Sequence, residues 1–79
     1  MSEYKALTFS IENKIGTITM NRPDKANALN RKLWFELGAA FDEADENDEV
    51  RVVVLRGEGK HFTAGIDYSL IAEIAAGVA

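Results

Sequence analysis

The sequence has no cysteine, one proline, one histidine and one tryptophan among its 79 residues. Without cysteine there is no disulfide and no thiolate metal site, and a reducing compartment is allowed. A single histidine excludes a histidine-rich metal centre, so no metal is expected. No apolar stretch approaches the ~18 residues that a membrane span needs. The first residues, Met1-Ser2-Glu3-Tyr4-Lys5, lack the charged-then-apolar pattern of a signal peptide. A cytoplasmic location without a membrane partner is therefore the expectation. Positive charge is short as well. Nine Lys and Arg stand against thirteen Asp and Glu, for a net charge of −4. The cations are scattered, with no run longer than Arg31-Lys32. Nucleic acid is not an expected partner, because neutralising phosphates takes a basic stripe.

What remains is globular in character, 47% hydrophobic and 28% charged. The length allows one small domain over 1–79 with no internal boundary. Tyr4 to Ile11 alternates in polarity and reads as a strand. Glu12-Asn13-Lys14 reads as a turn and Ile15 to Met20 as a second strand, which makes a hairpin. Asn21-Arg22-Pro23-Asp24 breaks the ladder, and a loop runs on to Leu29. Asn30 has the chemistry of a helix N-cap. Behind it Leu33, Leu37, Phe41 and Ala44 form an apolar stripe, with Ala40 beside them and Trp34 on its flank. Gly38 inside that helix suggests close approach of another element. The acids of Asp42 to Glu49 oppose the helix dipole and predict fraying there. Val50 to Leu55 contains four apolar residues in a row, the pattern of a central strand buried on both faces. Asp67 or Ser69 is placed to cap a second helix through Ile71 and Ile74. The order β-β-α-β-α implies an α/β fold.

Four segments have the residue types for chemistry. Gly57-Glu58-Gly59 follows a strand, as a dinucleotide-binding turn does, but the full pattern wants glycine at position 62, which is Phe62. The acidic run lacks the spacing and central glycine of a calcium loop. His61 is either a general base or an ordinary loop histidine, since its unperturbed pKa lies near neutrality. Thr63-Ala64-Gly65 are small residues between a strand and a helix, which lets a ligand approach the backbone. An amide just before a helix has no partner within it and is able to hold a developing oxyanion.

Two stretches, Ile18-Thr19-Met20-Asn21-Arg22-Pro23-Asp24-Lys25-Ala26-Asn27-Ala28-Leu29-Asn30 and Val52 to Asp67 with its Gly57-Glu58-Gly59-Lys60-His61-Phe62-Thr63-Ala64-Gly65-Ile66-Asp67, carry a resemblance. In order and spacing, from Tyr4 to about Ile74, the chain resembles the enoyl-CoA hydratase/isomerase (crotonase) superfamily. The resemblance implies a crotonase-like fold of ββα turns and an enzyme acting on acyl-CoA thioesters. Coenzyme A then enters as part of the substrate, and no separate cofactor is implied. The family holds the thioester carbonyl between two backbone N–H groups, and the first falls here on Ile66. Lys25, Ala26 and Ala28 fall where the family cradles the coenzyme A moiety. Ala64, Gly65 and Asp67 flank the same pocket. Lys25 is equally readable as a surface lysine, and Asp67 as a helix cap.

Members of that family are several times longer. The second amide and the acid/base glutamates of the hydratases have no counterpart in residues 1–79. The expectation is an N-terminal portion, inactive alone and oligomeric. A catalytically inactive module that binds coenzyme A or self-associates is the alternative. A nucleotide-binding α/β module is a third reading, which Phe62 disfavours.

Overall fold

The computed structural model describes residues 3–77. The elements are β1 (Leu7–Glu12), β2 (Ile15–Met20), a 3₁₀ turn (Pro23–Lys25), α1 (Arg31–Glu46), β3 (Val52–Gly57) and α2 (Tyr68–Ala75). They form an α/β fold with one sheet in the order β1-β2-β3.

The hairpin follows from its turn chemistry. Glu12 faces Ile15 across the β1–β2 pair, so the loop is Asn13-Lys14 alone. Both have positive φ, 52° and 67°. That geometry fits a type I′ turn, whose twist matches antiparallel strands. Asn13 adopts it at low cost, whereas Lys14 is strained there. Along β1, Leu7 and Phe9 are buried while Thr8 and Ser10 are exposed, which is the expected alternation. Ile18 and Met20 of β2 lie against them in the core.

α1 starts where its cap chemistry places it. The Asn30 side chain accepts a hydrogen bond from the Leu33 N–H at 2.9 Å. Leu33, Ala40 and Ala44 are buried in the core. Leu37 is half-buried, while Phe41 stays 42% exposed on the flank of the stripe. The expected fraying from Asp42 is not observed, and the helix continues to Glu46. Burial of Ala44 holds this last turn, and the Asn47 N–H closes it on the Ala44 carbonyl. Two of its acids tie the helix to the lead-in of β1. Glu36 accepts from the Lys5 and Ala6 N–H groups, and Glu43 accepts from the Tyr4 hydroxyl. Gly38 has no close neighbour: a Cβ there would meet nothing within 4 Å among the described residues.

The valine strand is the main correction. It begins at Val52 rather than Val50, and it lies at the sheet edge rather than the centre. β2 is central, antiparallel to β1 and parallel to β3. The reason is connectivity. The hairpin places β1 on one side of β2, and the crossover through α1 brings the parallel strand to the other side. α1 packs over β1 and β2. Val52 and Val54 are left 55% and 41% exposed. α2 is capped by Asp67, whose side chain accepts from the Ser69 N–H at 2.9 Å.

Candidate functional site

The loop after β2 and the loop after β3 run side by side, joined mainly by backbone bonds. Ala64 N–H donates to the Ala26 carbonyl at 2.9 Å. Leu29 N–H donates to the Gly65 carbonyl at 2.8 Å, and Asp67 N–H donates to the Leu29 carbonyl at 2.9 Å. Leu29 and Ile66 thus form a parallel β-bridge. The structure therefore brings Ala26 and Ala28 of the first stretch against Ala64, Gly65, Ile66 and Asp67 of the second.

This bridge aims the Ile66 amide. In a trans peptide the C=O and the following N–H point in opposite directions. The Gly65 carbonyl is directed at Leu29, so the Ile66 N–H is directed away from it. Among the described residues that N–H has no hydrogen-bond partner. Gly65 has φ +100°, a conformation that glycine adopts freely. Ile66 itself is half-exposed.

Asn27 forms the foundation between the loops. It is fully buried and has φ 55°. Its Oδ1 accepts from the Arg22 N–H at 2.7 Å. Its Nδ2 donates to the Glu58 and His61 carbonyls, each at 2.8 Å. Every side-chain proton is used, as a buried amide requires. Gly57 lets the loops come this close. A Cβ there would lie 2.3 Å from the Phe62 carbonyl oxygen and 2.6 Å from that of His61.

Arg22 stitches the same region from outside. Its Nη1 donates to the Ala28 carbonyl and lies 3.6 Å from the Asp67 carboxylate. The Asp67 pKa is lowered, first by the Ser69 N–H, then by the Ser69 hydroxyl and the Arg22 charge. A lowered carboxylate pKa means that the cap is charged above the ordinary aspartate value. Its contribution fades only as pH falls through the lowered value. Asp67 thus acts here as a charged helix cap rather than a proton donor near neutrality. Lys25 sits exposed at the end of the 3₁₀ turn, without an ion-pair partner among the described residues. The His61 side chain is exposed, and only its carbonyl is tied into the site. No group of three or more His, Cys, Asp or Glu among the described residues is arranged to hold a metal ion.

Comparison with known proteins shows the family. Residues 10–77 match the family model described as enoyl-CoA hydratase/isomerase. The chain belongs to this family. Among its enoyl-CoA hydratase/isomerase relatives, the mitochondrial Delta(3,5)-Delta(2,4)-dienoyl-CoA isomerase of Mus musculus is 41% identical over 58 residues, covering 73% of this chain and 18% of that protein. A solved enoyl-CoA hydratase/isomerase from Xanthobacter autotrophicus Py2 superimposes with a TM-score of 0.82 at 34% identity, covering 94% of this chain and 27% of that one. One from Mycobacterium paratuberculosis gives a TM-score of 0.80 at 37% identity, covering 82% and 26%. The chain thus spans between about a fifth and a quarter of these relatives' lengths. Its neighbours are crotonase-fold enzymes.

Sequence reasoning missed Asn27 as a site-forming residue and read Thr63 only as a small residue beside Ala64 and Gly65, without its hydroxyl's bonds. The available signal was local: asparagine is one of the few residues that tolerate positive φ in a tight loop. Its Arg22 partner is five positions away, but Glu58 and His61 lie more than thirty positions away, and no spacing rule reaches them.

Proposed function

We propose that this segment binds an acyl-CoA thioester and stabilises negative charge on the thioester oxygen through the Ile66 N–H. One observation carries the reading. The Ile66 amide is directed away from Leu29 by the Gly65 carbonyl bond and has no partner among the described residues. Such a preset donor is worth more to a developing oxyanion than to the ground-state carbonyl. Lys25 is assigned to the coenzyme A phosphates. Ala26, Ala28 and Ala64 leave room for the thioester arm, with Gly65 and Asp67 beside it. Residues 1–79 offer one donor and no assigned acid or base. Alone they are proposed to bind without turnover. Substitution of Ile66 by proline and by valine, in a catalytically competent chain carrying this segment, tests the assignment. Only the proline variant should lose turnover, and an equal loss in both refutes it.

Self-association belongs to the same proposal. Val52, Val53 and Val54 are 55, 37 and 41% exposed. The outer edge of β3 has no strand partner among the described residues. Uncovered apolar strand edges recruit other chains. Sedimentation of the chain at micromolar concentration should show oligomers. A compact, stable monomer would contradict the proposal.

A further inference from the structure

The Ile66 amide is only as well aimed as the peptide that carries it. That peptide belongs to Gly65, which has no Cβ to restrict it and stands at φ +100°. Two bonds bracket the Gly65 torsions, one on each side. The carbonyl of the Gly65–Ile66 peptide accepts from Leu29 N–H at 2.8 Å. The Gly65 N–H, which belongs to the preceding peptide, donates to Thr63 Oγ1 at 3.1 Å. The Thr63 hydroxyl in turn donates its proton to the Asn27 backbone carbonyl at 2.6 Å. A hydroxyl has one proton and two lone pairs. With the proton given to Asn27, a lone pair is presented to Gly65. Asn27 cannot move in response, because it is buried and bonded to Arg22, Glu58 and His61.

We propose that Thr63 is a positioning residue for the oxyanion amide: its hydroxyl relays the fixed position of Asn27 to the N–H side of Gly65 and, together with the Leu29 bond on the carbonyl side, sets the direction of the Ile66 N–H. The assignment rests on the reading of Ile66 as the thioester donor. Thr63 does not itself touch the reacting atoms. Its loss removes the anchor on the Gly65 N–H side, so the Gly65–Ile66 peptide pivots about its Leu29 bond, while the loops stay joined through Ala26–Ala64, Leu29–Gly65 and Leu29–Asp67. The aim is lost before the fold.

The test uses hexanoyl-CoA labelled with ¹³C at the thioester carbonyl, bound to the full chain and observed by isotope-edited infrared spectroscopy. A donor aligned on the oxygen lowers the carbonyl stretching frequency. The parent protein should show that downshift. Thr63→Val, which keeps the shape and removes the hydroxyl, should still bind hexanoyl-CoA but lose most of the downshift. Thr63→Ser should restore it, and Thr63→Ala should behave as the valine variant does. A full downshift in Thr63→Val would overturn the positioning role while leaving the Ile66 reading intact. Unfolding of both the valine and alanine variants would make Thr63 structural and would also overturn it. If the parent shows binding without a downshift, the Ile66 reading itself fails, and the role of Thr63 fails with it.

Discussion

In a catalytically competent chain carrying this segment, replacing Ile66 by proline should lower turnover about a hundred- to a thousandfold, the loss of ~3–4 kcal/mol that follows removal of one oxyanion donor. The expected effect is large because the donor is preset. Its direction is held before any ligand arrives by the Leu29–Gly65 bond on one side of Gly65 and by Thr63 on the other. Proline has no N–H to give. Ile66→Val keeps the amide and most of the side-chain volume, so it should turn over at nearly the parent rate. Acyl-CoA affinity should fall less than rate in the proline variant, since the oxygen is more strongly charged in the transition state than in the bound substrate. Steady-state kinetics of both variants, with circular dichroism to verify the fold, decide the matter. Equal turnover in the two, with both folded, would remove Ile66 from the mechanism.

The second large effect falls on stability. Gly57→Ala places a Cβ 2.3 Å from the Phe62 carbonyl oxygen, 2.6 Å from that of His61 and 2.8 Å from Asn27 Nδ2. The two carbonyls are backbone atoms, and that of His61 is itself bonded to Asn27, so they cannot step aside cheaply. Overpacking of this kind costs about 3 kcal/mol, which lowers the melting temperature of a domain of this size by roughly 12–24 °C. The loop after β3 should separate from Asn27 at the same time, so acyl-CoA binding should weaken in parallel. Gly38→Ala is the opposite case. Among the described residues nothing lies within 4 Å of an added Cβ, and Gly38 sits inside α1. Alanine there should stabilise the helix by up to ~1 kcal/mol. Thermal denaturation of the two variants should move in opposite directions. A Gly57→Ala protein that melts with the parent would show that the loops are not packed as described.

Several features were legible because their causes are local. The alternation in β1, the Asn30 cap and the Asp67 cap depend on neighbours within four residues. The two stretches that carry the family resemblance include the two loops that the structure joins, so the meeting of those loops, the candidate site, was legible too. The place of β3 was not. Consecutive valines indicate a strand made to be covered, but they do not say which strand stands between the others. That is settled by a two-residue hairpin on one side of β2 and a helical crossover on the other. The helix face was legible in outline and displaced in detail: Ala40 and Ala44 reach the core where Phe41 does not. Asn27 and the Thr63 hydroxyl were illegible for a different reason. Each bonds to backbone atoms, and backbone atoms leave no mark in a sequence. Only the folded chain shows that Asn27 reaches across to Glu58 and His61.

The most direct test of the central claim is the amide resonance of Ile66. Protein labelled with ¹⁵N should be titrated with hexanoyl-CoA and, separately, with free coenzyme A. Both share the nucleotide and pantetheine arm, but only the thioester brings a carbonyl oxygen. The account predicts a downfield shift of the Ile66 amide proton with hexanoyl-CoA and little change with coenzyme A. Resonances around Lys25 and Ala26 should respond to both. An Ile66 amide that stays still when the thioester binds, or that moves equally with free coenzyme A, would contradict the account.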